Sequence, residues 1–272
     1  MKPSETLLVI DVGNTHSVIG LYAGETLLAH WRFSSKLPRT EDELWILLRM
    51  WMAEAGFETS ALGGVVISSV VPALNTVLVR MCRERFGLEA LVVSADIETG
   101  MEILYEPKRS VGADRICNAV AGHVRYGGPL VVVDFGTATT FDVVAADGAY
   151  LGGVIALGLM GASEELHRIS AKLPRVALDF PDKVIGQTTE TSMQSGILWG
   201  TLAMVDGMVQ RIKAELGVNA LPVVATGGIA PVFIERSKEI THIEPFLTLE
   251  GMRLIHNYQI KKSHRVQKGQ TG

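Results

Sequence analysis

Cysteine is nearly absent from this chain. Cys82 and Cys117 are the two in 272 residues, with no CxxC spacing. A disulfide framework and a four-thiolate zinc site are excluded, and both thiols read as small buried hydrophobes of a reducing compartment. Aromatic residues, at 6%, are too sparse to suggest base stacking along a nucleic acid. Neither sign of charge dominates: 25 basic against 29 acidic residues leave −4, which argues against a nonspecific nucleic-acid binder. Long hydrophobic runs are missing too. Leu130 to Val133 stops at Asp134, far short of the roughly 18 apolar residues of a membrane span. The N-terminal run ends at Asp11 before a signal-peptide core could form. The expectation is a cytoplasmic protein with neither a nucleic-acid nor a membrane partner. The chain has no GxxxxGK[ST], no GxGxxG after the first strand, no HExxH and no GxSxG. Walker-type, Rossmann, zinc-hydrolase and serine-esterase readings fall with them.

What the chain has is a repeat. Leu7 to Ile10 is a short apolar run that ends in Asp11-Val-Gly13-Asn-Thr15. Val18 to Tyr22, a turn at Ala23-Gly24-Glu25 and Leu27 to Phe33 follow, predicting three meandering strands. Leu130 to Val133 repeats the opening and ends in Asp134-Phe-Gly136-Thr-Ala-Thr-Thr140. Phe141 to Ala145, the turn Asp147-Gly148 and Tyr150 to Ile155 complete the second set. Two Asp-x-Gly turns in the same strand context, half a chain apart, indicate internal duplication.

Helical patterns follow each set. Thr40-Glu-Asp-Glu43 predicts a capping box for a helix with Leu44, Leu47, Leu48, Trp51 and Ala55 on one face, stopping near Gly56. Val65 to Ile67 reads as a buried strand, Pro72 as a helix start, and Leu91 to Val93 as another strand. In the second half, Thr191-Ser-Met-Gln194 is expected to cap a long helix to about Leu216. Val223 to Ala225 then forms a strand, Ile243 a last short one, and Thr248 to Tyr258 a helix. The division expected is 1–120 and 121–260 as similar α/β lobes, with 261–272 as a polar, basic, solvated tail. A cleft between such lobes would set the two Asp-x-Gly turns opposite each other.

Several segments carry residue types suited to chemistry. Asp11 to Thr15 places a carboxylate at a strand end, then a glycine that admits close approach, with Asn14, Thr15 and Ser17 supplying hydrogen bonds. Such a hairpin could cradle phosphates while Asp11 holds a hydrated Mg²⁺. A tight turn bonding its own backbone is the plain alternative. Asp134 to Thr140 repeats the arrangement with more hydroxyls. Small residues at Thr226-Gly227-Gly228 would let adenine or ribose lie against the backbone, or form an ordinary helix entry. Val111-Gly-Ala-Asp114-Arg115 opens a helix, a place for an anionic substrate and a base. There too Asp114 could merely complement the helix dipole, with Arg115 in solvent.

Taken in order, Asp11 to Thr15, Ser68-Ser-Val-Val-Pro72, Gly112 to Arg115, Asp134 to Thr140, Ser192 to Gly196 and Thr226 to Gly228 resemble the type III pantothenate kinases. The resemblance runs from about Leu7 to Tyr258. It implies a duplicated ribonuclease H-like (actin-like ATPase) fold, with mixed sheets flanked by helices in two similar lobes. It also implies ATP-dependent phosphorylation of pantothenate, the first step of coenzyme A synthesis, by a homodimer. On this resemblance Asp11, Val12, Gly13, Asn14, Thr15, His16, Ser17 and Val18 contact ATP phosphates together with Thr137. Asp134 matches the position for K⁺ or NH₄⁺, alongside Mg²⁺ or another divalent cation. Asp114 matches the proton acceptor. Tyr105, Gly112, Ala113, Asp114, Arg115 and Thr189 match the pantothenate contacts. Thr188 departs from the family, which commonly has Asn there. Another ATPase or small-alcohol kinase of the superfamily and a transcription accessory role are the alternatives. Tyr105 with Gly112 to Arg115 speaks against the first, and the net charge and missing helix-turn-helix signature against the second.

Overall fold

The strand pattern of each half becomes one five-stranded sheet. The computed structural model describes residues 6–170 and 172–269. β1 (Thr6–Val12), β2 (His16–Ala23) and β3 (Thr26–Ser34) run antiparallel. β4 (Leu62–Ser69) and β5 (Leu91–Val92) add in parallel, giving the order β3-β2-β1-β4-β5. In the second half β6 (Leu130–Phe135), β7 (Ala138–Val144) and β8 (Tyr150–Leu157) form the meander. β9 (Val223–Thr226) and β10 (His242–Ile243) add in parallel, in the order β10-β9-β6-β7-β8. Read from β8, the second sheet repeats the first strand for strand, so the duplication inferred from two turns extends to the whole topology.

Period-two alternation sorts the two faces of the first sheet. Leu8, Ile10 and Val12 point to one side with Val65 and Ile67, into a core shared with α1 (Glu41–Glu54) and α2 (Pro72–Met81). Those helices supply Leu44, Leu48 and Met52, and Leu74, Leu78 and Met81, each a stripe at helical spacing. The predicted capping box closes α1: Thr40 accepts from the Glu43 N–H, and a Glu43 carboxylate oxygen accepts from the Thr40 N–H at 2.7 Å. Beyond α2, a five-residue π turn (Cys82–Phe86) ends at Gly87, whose φ of +66° suits glycine. No sequence signal announced that turn.

The other face of the first sheet carries Leu7, Val9 and Asp11, and α7 (Leu247–Gly269) lies on it against β1, β2 and β4. Glycine makes this approach possible. A Cβ at Gly20 would meet the Leu249 side chain at 3.0 Å, and one at Gly64 the His256 ring at 2.8 Å. The chain therefore divides into Met1–Ala121 with Leu247–Gly272, and Gly122–Phe246. This differs from the expected 121–260 lobe, because Leu249, Met252 and Ile255 bury a sheet face of the first half. The expected tail is solvated, with residues 261 and 263–265 exposed, but residues 261–269 continue α7, with Lys262 paired to Glu98 at 2.6 Å; of the tail, 270–272 lie outside the described residues.

In the second unit, Val131, Val133 and Phe135 face a core built with α4 (Leu159–Ile169), α5 (Thr189–Leu216) and α6 (Pro231–Ile234). α4 was not anticipated. α5 starts three residues earlier than expected: Thr188 is its N-cap, and Thr191 is the reciprocal partner rather than the cap. Two threonines three apart satisfy each other's amides, and the reader of a linear pattern can take either as the cap. The departure at Thr188 is also explained, since Asn and Thr both serve as N-caps.

Candidate active site

Asp11 is the last residue of β1 before the turn to point away from the α1/α2 core. Its parallel-register partner is Ser68 on β4, and the Ser68 hydroxyl donates to Asp11 Oδ1 at 2.9 Å. α3 (Ala113–Tyr126) brings in the second carboxylate. Asp114 stands in its first turn, and Cys117 follows three residues later on the same helical face. Burial pushes the Cys117 thiol well above its ordinary value, and the charges of both Asp11 and Asp114 push it the same way, so the two carboxylates share one neighbourhood. The packing behind it is close. A Cβ at Gly251 of α7 would lie 2.0 Å from the Cys117 carbonyl oxygen, so only glycine lets α7 back this turn of α3.

Burial raises the Asp114 carboxyl above its ordinary value, against the lowering effects of the Arg115 N–H and guanidinium. That N–H donates to Asp114 Oδ1 at 2.8 Å. The side chain is thus held at the helix start as a carboxylate more basic than usual. Arg115 is 7% exposed, which overturns the plain reading of a solvated arginine. Gly112 is half-buried beside Asp114, Ala113 is buried, and Tyr105 is half-buried in the irregular segment before α3.

The hairpin turn is short. Its Gly13 N–H bonds the His16 carbonyl oxygen at 3.1 Å, and the Thr15 carbonyl oxygen accepts from the Ser35 N–H at 3.0 Å. Asn14 and His16 are exposed, and Thr15 and Val18 half-buried. Val12 and Ser17 turn inward instead, Val12 into the α1/α2 core and Ser17 to Ser35 Oγ at 2.8 Å. Any part they play at this turn is through the backbone.

The second unit holds Asp134, Thr137 and Thr189. Asp134, next to last on β6, has Thr140 of β7 and Thr226 of β9 as its register partners, so three oxygen-bearing side chains sit side by side on one face of the sheet. Gly227, at φ +92°, leaves a cradle there: a Cβ would fall 2.8 Å from Asp134 Oδ1 and 2.6 Å from the Phe135 carbonyl oxygen. Thr137 is exposed at the following turn, where a Cβ at Gly158 would strike its carbonyl oxygen at 2.2 Å. Thr189 is the exposed first residue of α5. The Asp134 end, with Thr140 and Thr226 beside it, presents oxygen donors, which suits hard cations such as Mg²⁺ and K⁺.

Two features escaped the sequence reading. Ser68 has no role legible in its own motif, because its partner Asp11 is 57 residues away. Asp142 and Tyr150 form a fully buried pair, hydroxyl to carboxylate at 2.8 Å, on the Asp134 face of the second sheet. A polar residue at a position where β7 alternation demands burial was the available signal for Asp142.

Two sheets of identical order, each with a carboxylate near the end of its first strand and a glycine turn after it, make up the fold shared by actin-like ATPases and sugar kinases. The chain has that fold: a ROK hexokinase from Thermus thermophilus matches with a TM-score of 0.51 at 13% identity, over 94% of this chain and 99% of the hexokinase. A candidate transcriptional activator of the Baf family from Campylobacter jejuni shares it too (TM-score 0.58, 17% identity, 93% and 99% of the two chains). The chain belongs to the type III pantothenate kinase family, whose profile matches residues 7–211. The type III pantothenate kinase of Anaeromyxobacter sp. strain K is 48% identical over 250 residues, 92% of this chain and 98% of that protein.

Proposed function

We infer that this protein transfers the terminal phosphoryl group of ATP to the primary hydroxyl of pantothenate, giving 4′-phosphopantothenate. Family membership supports the reaction. The observation that carries its assignment to residues is the placement of Asp114, with its raised carboxyl, in the neighbourhood of Asp11 and Ser68.

Phosphoryl transfer asks a protein chiefly for alignment and for stabilisation of charge. Asp114 takes the hydroxyl proton as the oxygen–phosphorus bond forms and the bond to the β,γ-bridging oxygen breaks, leaving ADP. A carboxylate raised in basicity is better matched to that task, typically worth 10²–10⁴-fold for a positioned base. Gly112, Ala113, Arg115, Tyr105 and Thr189 bind pantothenate. Arg115, buried beside Asp114, is suited to a carboxylate or to ordering the helix end. The segment Asp11 to Val18 and Thr137 bind the ATP phosphates, with Gly13 admitting close approach and Asn14 and Thr15 donating. Asp11 would hold the divalent cation, and Asp134 in its glycine cradle a K⁺ or NH₄⁺. When bound, these ions offset negative charge on the transferring and leaving oxygens. The protein works as a cytoplasmic homodimer.

The test is ADP release measured with and without pantothenate, in K⁺ and in Na⁺ buffers. Release that requires pantothenate and K⁺ is expected. Pantothenate-independent hydrolysis, or phosphorylation of a different alcohol, refutes the substrate, and equal rates in Na⁺ refute the role of Asp134.

A further inference from the structure

The face of the first sheet that carries Asp11 is otherwise aliphatic or bare along its two central strands. Leu7 and Val9 precede Asp11 on β1, and Gly64 and Val66 precede Ser68 on β4. Ser68 is completely buried there. A buried hydroxyl without a partner costs free energy, and an alanine or valine would fill a strand position as well. The Ser68 hydroxyl has its partner in the Asp11 carboxylate. Its single proton goes to Asp11 Oδ1 at 2.9 Å, and the buried Cys117 thiol lies beside it. Cys117 in turn lies one helical turn beyond Asp114 on α3.

We propose that Ser68 is a positioning residue for the phosphoryl transfer, whose hydroxyl locks the Asp11 carboxylate in one rotamer. This rests on the reading of Asp11 as a group on the ATP side of the reaction. An aspartate at a strand end has two side-chain torsions to order when a triphosphate and its cation arrive. The Ser68 hydroxyl removes that freedom in advance, which is preorganisation of a charged group. Ser68 touches neither the ATP phosphates nor the alcohol in this scheme and acts only through Asp11.

The test is a double-mutant cycle of Ser68→Ala and Asp11→Asn in the full chain. The affinity for the magnesium complex of a nonhydrolysable ATP analogue is measured by calorimetry, and kcat and KM for each substrate by ADP release. Ser68→Ala is expected to weaken nucleotide affinity and kcat/KM for ATP by roughly 10- to 100-fold, the effect of losing a hydrogen bond to a charged group. KM for pantothenate stays within twofold, and adding Ser68→Ala to Asp11→Asn costs nothing further. Ser68→Cys, close in size and a weak donor, falls between wild type and alanine, and supplies the same readouts if the alanine variant does not fold. Wild-type nucleotide affinity in Ser68→Ala or Ser68→Cys, or a full additional loss in the Asp11→Asn background, overturns the positioning role alone. A neutral Asp11→Asn overturns the reading of Asp11 on which it rests.

Discussion

Alanine at Gly112 moves the carboxylate of Asp114 without removing it. A Cβ there would lie 2.5 Å from Asp114 Oδ1, about 0.9 Å inside the 3.4 Å at which ordinary contact begins. Swinging the carboxylate away breaks the 2.8 Å bond from the Arg115 N–H, an amide at the start of α3 with no partner in the helix ladder. Retreat of the Gly112 backbone instead shifts the substrate segment itself. Either way the base is displaced by most of an ångström, and a misplacement of about 1 Å costs on the order of 10²-fold in rate. That is about 2.7 kcal/mol of transition-state stabilisation. The φ of Gly112 is not positive, so alanine adds no backbone strain. The expected phenotype is a turnover lowered about 100-fold, with KM for ATP within twofold and a melting temperature within a few degrees of wild type. Steady-state ADP release at saturating pantothenate, beside a thermal melt, gives all three numbers. Turnover within threefold of wild type would refute both the close packing at the helix start and the placement of the base.

Four further outcomes are expected. Because burial raises the Asp114 carboxyl, the acid limb of kcat/KM for pantothenate lies above the usual carboxylate range. The folded protein also binds that proton more tightly than the unfolded chain does. Its stability therefore falls as pH rises from the unfolded value of 3.8 through the raised folded one, and above that window the buried charge is a standing cost. Asp114→Asn accordingly abolishes turnover yet raises the urea midpoint at neutral pH; a lowered midpoint contradicts the desolvation argument. Gly227→Ala introduces a side chain at φ +92° against the Phe135 carbonyl and Asp134. It should cost about 1–3 kcal/mol in urea unfolding and weaken activation by K⁺; a variant unchanged in both would show that the cradle is not used. Neither thiol should react with iodoacetamide at pH 8 in the native protein, since burial pushes Cys82 up to about 12 and Cys117 well above its ordinary value. Mass spectrometry before and after urea checks this, and native labelling of Cys117 would mean that the turn of α3 opens.

The candidate site residues stand in short stretches of chain. Asp11 with Gly13 and Asp134 with Gly136 were found because a carboxylate, a glycine and hydroxyls closed an apolar run, a pattern contained in a few residues. The Thr40 to Glu43 capping box was legible for the same reason. The cap of α5 was misplaced by three residues because Thr188 and Thr191 make the same bonds to each other, and only the backbone angles separate N-cap from third helical position. Arg115 shows the limit more sharply. Its neighbourhood at a helix start reads equally well as solvent or as buried machinery, and only the structure reveals the 7% exposure.

The succession of strands along the chain, the two Asp-x-Gly turns and the start of α1 were written in the sequence alone, because periodicity, caps and turns satisfy backbone groups within a few residues. Three matters were decided only by the tertiary structure. α7 turned back to cover the first sheet, since its apolar stripe states that something must be buried but not against what. Ser68 met Asp11 through the register of two strands far apart in the chain. Asp114 became more basic through desolvation, a sum over every neighbour the fold brings near, which no linear spacing contains.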